Sequence, residues 1–233
     1  MERPAPVVRL FDLDVGPKPG LVLVEGIEWE VRGGCIVAVV GPIGSGKSSL
    51  LRTLGLLQPP GRGVYEFVGH VTHLANAHLR ASLRRRLGLA LPDLPWLGAA
   101  SVRENLALPL KIQETAASEI DQVVGDFLEW LGLGSRAETP ASLLSDGERR
   151  LLRVARAAVT RPDLLLADEP LAGLDRATTE RVRRLLHELA RLGTAVVVTA
   201  AESAATAGLA HETWKLDDRR LRPADAAALR LAG

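Results

Sequence analysis

Apolar positions change rhythm twice along the chain. Near the start they come in short runs: Val7 to Leu13, Leu21 to Val24, Ile27 to Val31 and Ile36 to Val40 predict strands, with turns at Gly16-Pro17, Pro19-Gly20 and Gly33-Gly34. From Lys47 onward Leu50, Leu51, Leu54 and Leu57 recur at helical spacing until Pro59-Pro60-Gly61 stops the helix. A glycine-rich turn therefore joins a buried strand to a helix. Between about Leu89 and Arg161 the patterning is helical, over Glu119 to Leu131 and Glu148 to Val159, with almost no strand signal. The strand rhythm then returns in Leu164 to Ala167 and Ala195 to Thr199, on either side of an amphipathic helix from Thr178 to Leu192 that Gly193 ends. Strand, helix, strand at this spacing predicts a βαβ unit with a parallel sheet. A short helix is expected from Pro223 to Leu231.

With 233 residues and 47% hydrophobic positions the chain can bury a substantial core. The expected organisation is a single α/β unit, with a core over about 1–88 and 162–233 and an inserted α-helical lobe over about 89–161. Charge is balanced, 29 Lys and Arg against 28 Asp and Glu, so no global field attracts nucleic acid and none is expected as a partner. The cluster Arg80, Arg84, Arg85, Arg86 reads as a solvated helix face. The single cysteine, Cys35, opens an apolar run and reads as a buried small hydrophobe, with no intrachain disulfide to form. No apolar stretch approaches the ~20 residues of a membrane helix, and Met1 to Pro6 lacks the apolar run of a secretory signal. A cytoplasmic location is the expectation.

The strongest chemical signal is Gly41-Pro42-Ile43-Gly44-Ser45-Gly46-Lys47-Ser48, which fits the P-loop pattern and lies between a buried strand and a helix. Glycines let backbone N–H groups wrap a phosphate chain, and the helix N-terminus adds positive potential. Lys47 is assigned to the β- and γ-phosphates and Ser48 to Mg²⁺, with Ser49 next in the phosphate-binding stretch. Leu164 to Ala167 then ends in Asp168-Glu169. Asp168 is the expected support for Mg²⁺, and Glu169 the expected general base for the water that attacks the γ-phosphate. Taken alone, two acids after a strand would serve equally well to cap the following helix.

Between these motifs Leu144-Ser145-Asp146-Gly147-Glu148 resembles the signature segment of ATP-binding cassette (ABC) ATPases, and Pro170-Leu171-Ala172-Gly173-Leu174-Asp175 is similar to their D-loop. The resemblance covers essentially the whole chain. It implies a P-loop ABC cassette with a parallel core sheet, an N-terminal antiparallel β part and the helical lobe, binding ATP and Mg²⁺. It further implies a head-to-tail dimer, homodimer or heterodimer, in which Ser145, Gly147 and Asp175 of one copy close on the nucleotide of the other. A separate integral membrane partner is implied as well. Within the family, Leu164 to Pro170, Val102 to Leu110 and Leu216 to Leu221 resemble the FtsE, lipoprotein-release and macrolide-export group, FtsE foremost, whose partner is of the FtsX type. The family couples to its partner near Pro92 to Val102, where Leu91, Leu94, Trp96 and Leu97 offer apolar anchors that fit the lobe's own core equally well.

Several positions depart from the family pattern. Pro92 stands where a glutamine is usual, Ala200 where a histidine is usual and Asp146 where a glycine is usual, and no aromatic residue near Gly16 to Pro19 is present to stack on adenine. Proline and alanine have no side-chain donor or acceptor, and Asp146 adds negative charge near the partner's phosphates. Slow ATP hydrolysis is the expectation, with a nucleotide-binding scaffold without turnover as the alternative.

Overall fold

The computed structural model describes residues 5–18, 20–94 and 97–224. Trp96 and the helix expected beyond Pro223 lie outside the described residues.

Ten strands and six helices follow one another along the described chain: β1 (Pro6–Val15), β2 (Val24–Arg32), β3 (Ile36–Val40), α1 (Lys47–Leu54), β4 (Arg62–Phe67), β5 (His70–Val71), α2 (Ala77–Arg85), β6 (Leu87–Ala90), α3 (Val102–Ile112), α4 (Ala117–Trp130), α5 (Asp146–Ala158), β7 (Leu164–Ala167), α6 (Arg176–Arg191), β8 (Ala195–Ala200), β9 (Glu212–Asp217) and β10 (Arg220–Pro223). They build two sheets, an antiparallel one ordered β2-β1-β4-β5 and a six-stranded one ordered β10-β9-β3-β8-β7-β6. In the larger sheet every pairing is parallel except that of β9 with β10.

The unbroken apolar runs of β3, β7 and β8 arise because both faces of this sheet are covered. Along β3, Val37 and Val39 pack with Leu50, Leu51 and Leu54 of α1 and with the antiparallel sheet. Ile36, Ala38 and Val40 face the other way, onto α6 and onto α5 and the rest of the helical lobe. With its faces sealed, the sheet offers polar chemistry only at its strand ends. The carboxyl ends of β3 and β7 lie on one edge of the molecule, because the strands between them run in the same direction.

Several expectations are corrected here. Leu21 to Val24 is not a strand of its own: Lys18 and Leu21 form an isolated bridge, and β2 takes in Val24. Helix α1 stops at Leu54 rather than Leu57, because Gly55 caps it and Leu56 turns into the left-handed region at φ 55°. The sheet continues through Leu89 and Ala90, which pair with Leu166 and Ala167, so the lobe begins two residues later than expected. Cys35 is half-buried and precedes β3. Arg86 is partly exposed, as expected, and it also holds Asp163 through two bonds, of 2.7 and 3.0 Å, that tie the starts of β6 and β7. Strands β4, β9 and β10 and helices α2 and α3 had no clear signal; α2 buries only Leu83 and β9 alternates weakly. Among the described residues no helix is long and apolar enough to cross a membrane.

Helix α5 lies so close to β6 that a Cβ on Gly88 would fall 2.1 Å from the Ala157 carbonyl oxygen. Gly88→Ala is therefore expected to cost about 1–3 kcal/mol by overpacking, read as a lower urea midpoint with an unchanged slope.

Candidate functional site

The loop from Gly41 to Gly46 turns β3 into α1. Gly41 presses on β9, where an added Cβ would sit 2.2 Å from the Leu216 carbonyl oxygen. Gly44 and Gly46 take φ values of 81° and 107°, which only glycine adopts without strain. The rim is open: Ile43 is 94% exposed, Pro42 is exposed, and nothing lies within 4 Å of a Cβ placed on Gly44. Lys47, buried at the first turn of α1, donates from Nζ to the Gly41 carbonyl at 2.7 Å and to the Pro42 carbonyl at 3.0 Å. Its ammonium is thus held over the loop by two carbonyls. No side chain caps the N-terminus of α1, which leaves its first N–H groups for an anion. Ser45 Oγ is buried without a hydrogen-bond partner, a costly arrangement that a phosphate oxygen would relieve. The loop therefore fits a phosphate chain. Ser49 is buried on the inner side of α1, and its carbonyl accepts from Gln58 Nε2 at 3.1 Å.

Asp168 and Glu169 follow β7 directly. Ser48 Oγ donates to Asp168 Oδ2 at 2.9 Å, and Thr199 Oγ1 donates to Asp168 Oδ1 at 2.5 Å. The Glu169 N–H donates to the same Thr199 hydroxyl at 2.9 Å, and Glu169 itself sits in the left-handed region at φ 46°. A hydroxyl and a carboxylate so close form a hard oxygen pair suited to Mg²⁺, which keeps water and takes phosphate oxygens for the remainder of its shell. No group of three or more His, Cys, Asp or Glu that could hold a metal by itself occurs among the described residues. Ser48 and Asp168 line a cavity of about 260 Å³ with Arg52, Leu91, Pro92 and Asp93, and Arg52 pairs with Asp93. The Pro92 side chain brings no donor or acceptor to that cavity. Ala200 ends β8, where its carbonyl accepts from the Gly41 N–H at 3.3 Å. His211 cannot stand in for a residue there, since its Nδ1 accepts from the Ile36 N–H at 3.0 Å, at the opposite end of β3.

The chain's only tyrosine, Tyr65, is buried with its hydroxyl on the Leu54 carbonyl at 2.8 Å. Gly16, Pro17, Lys18 and Leu21 line a separate cavity of about 150 Å³ that holds no aromatic ring.

Ser145 caps α5 in a reciprocal box: the Glu148 N–H donates to Ser145 Oγ at 3.2 Å, while the Ser145 N–H donates to Glu148 Oε2 at 2.8 Å. These bonds from Ser145 hold the Glu148 carboxyl below its ordinary range. Asp146 is 96% exposed and pairs with Arg149, which offsets the negative charge expected there from sequence. Asp175 caps α6, accepting from the Thr178 N–H at 2.9 Å and its hydroxyl at 2.6 Å. A Cβ on Gly147 would lie 3.9 Å from Asp175 Oδ2, so these two helix starts are neighbours. The structure thus gathers two sets: Lys47, Ser48, Asp168 and Glu169 at the strand ends, and Ser145, Gly147 and Asp175 at the starts of α5 and α6. Arg150, which sequence reasoning missed, links α5 to the loop after β7 by donating to the Glu169 carbonyl at 3.3 Å and to the Ala172 carbonyl. Thr199 was missed as a contact too; its place opposite the strand preceding the acids was the available signal.

A P-loop between a parallel strand and a helix, with an acid pair on the next strand but one, defines a P-loop nucleotide-binding α/β protein. Residues 24–172 match the family model described as ABC transporter, and the chain belongs to that family. It is 37% identical over 190 residues to the lipoprotein-releasing system ATP-binding protein LolD of Novosphingobium aromaticivorans, covering 80% of this chain and 85% of that protein. To the methionine import ATP-binding protein MetN of Rhizobium etli it is 35% identical over 219 residues, and it spans only 60% of that relative's length. A dimeric bacterial ABC transporter cassette superposes with a TM-score of 0.82 at 24% identity, over 92% of this chain and 96% of that one, a likeness of fold. The fold and the matched residues make the chain a cassette of that family.

Losing the cap in Ser145→Ala should cost about 1 kcal/mol at neutral pH. Because folding lowers the Glu148 pKa, its contribution is full above the unfolded value and disappears as the pH falls through the folded one. Glu148→Ala should accordingly differ from wild type at neutral pH and converge on it in acid, as measured by urea unfolding across pH.

Proposed function

We propose that this chain is the ATP-hydrolysing subunit of a membrane complex of the FtsE, lipoprotein-release and macrolide-export kind, acting as a dimer of cassettes on an FtsX-like or other ABC permease. In this reading it lies on the inner face of the cell membrane through that partner. The observation that carries the nucleotide part is the arrangement of Lys47, the unpartnered Ser45 hydroxyl and the Ser48–Asp168 pair around one loop. Gly41 to Ser49 would hold the phosphates of ATP, Ser48 and Asp168 the Mg²⁺, and Glu169 would take the proton of the attacking water. Ser145, Gly147 and Asp175 would close on the nucleotide of the second copy. Each chain carries both halves, which supports a shared site.

For the partner, the lobe and the sheet enclose a groove of about 300 Å³ lined by Leu87, Leu94, Leu108, Pro109 and Ile112, among others. Leu94 faces this groove, whereas Leu91, grouped with it in the sequence, is core. The groove supports docking of the permease beside the segment after β6. Slow turnover follows from Pro92 and Ala200, which place no donor where the transition state needs one; a missing donor of that kind costs about 2.7–4 kcal/mol in a hydrolase. The scaffold alternative, binding without turnover, gains no support from relatives named as transporter ATP-binding proteins.

Lys47→Ala should abolish Mg-ATP binding in calorimetry, and equal affinity in the two proteins would refute the phosphate assignment. Basal hydrolysis should fall well below the ~10 s⁻¹ typical of enzymes. The combined change Pro92→Gln, Ala200→His, Asp146→Gly should raise it, and adding Glu169→Gln should cancel the gain. Ile112, 57% exposed on the groove, should tolerate Ile112→Glu with an unchanged melting temperature while co-purification with the FtsX-like partner falls.

A further inference from the structure

Thr199 is 1% exposed, and its one hydroxyl meets the Asp168 carboxylate and the Glu169 backbone N–H. The direction of each bond is forced. The Glu169 N–H can only donate, so it takes a lone pair of Thr199 Oγ1, and the hydroxyl proton goes to Asp168 Oδ1. With Oδ1 engaged, Oδ2 is the oxygen presented to Ser48. Register explains how this comes about: Ala167 pairs with Val198, which puts the next residue of each strand, Asp168 and Thr199, side by side. The following residue, Ala200, packs among apolar side chains that include Val40 and Val198. Thr199 itself is buried, whereas the two residues it meets are partly open.

We propose that Thr199 is a positioning residue for both halves of the hydrolytic chemistry. Its proton fixes the rotation of the Asp168 carboxylate toward the cation, and its lone pair holds the left-handed backbone from which Glu169 extends. One hydroxyl thereby ties cation binding to the placement of the base. This rests on the reading that Ser48 and Asp168 hold a divalent cation beside bound ATP.

Thr199→Val keeps the shape and removes the hydroxyl; Thr199→Ser keeps the hydroxyl. The measurement is Mn²⁺ affinity of the ATP-bound protein by electron paramagnetic resonance, with metal-free ATP affinity by calorimetry and single-turnover hydrolysis alongside. Removing a hydrogen-bonding partner of a metal-ligating carboxylate costs about 10–100-fold in metal affinity or activity. Thr199→Val should lose Mn²⁺ affinity on that scale with metal-free ATP affinity unchanged, and Thr199→Ser should restore most of it. At saturating Mg²⁺ in a Glu169→Gln background Thr199→Val should slow hydrolysis little further. Should Thr199→Val not fold, Thr199→Ala against Thr199→Ser reads the same difference. Wild-type Mn²⁺ affinity in a folded variant lacking the hydroxyl, or a Thr199→Ser protein as impaired as Thr199→Val, overturns the proposal while the nucleotide site stands. A wild-type protein that binds no ATP overturns both.

Discussion

Burial of the parallel sheet on both faces is the constraint from which the rest of the molecule follows. Once Val37 and Val39 are committed to α1 and the antiparallel sheet, and Ile36, Ala38 and Val40 to α6 and the lobe, the strand centres have little room for polar side chains. Polar residues therefore collect just beyond the strand ends. Parallel pairing puts the carboxyl ends of β3, β7 and β8 together, so Gly41, Asp168 and Thr199 meet although they are far apart in sequence. Helix α1 then points its uncapped start at the same place.

The parts of this arrangement legible in the sequence were those in which one segment carries its own signal. Ile36 to Val40 and Leu164 to Ala167 form strands with the bounds their apolar runs imply, and the P-loop glycines require the backbone they adopt. Elements defined by a neighbour were harder to read. Helix α2 buries a single leucine, and β9 owes its place to β3 on one side and β10 on the other, so neither has a strong period. The same distinction divides the candidate site. Lys47, Ser48 and Asp168 stand in recognisable motifs, whereas Thr199 and Arg150 matter only through register and helix packing, which no local pattern encodes. The charge at Asp146 is exposed as the sequence implies, and α5 adds an ion pair to Arg149 beside it.

Asp93 and Leu94 are consecutive residues with separate surroundings. Asp93 lines the cavity of Ser48 and Asp168 and is paired with Arg52, while Leu94 lines the groove beside Leu108 and Ile112. A single planar peptide unit, with Cα atoms about 3.8 Å apart, spans from one compartment to the other. The ion pair and the groove therefore flank one peptide plane, so a chain change as small as one inserted residue there would move a side chain from one compartment to the other.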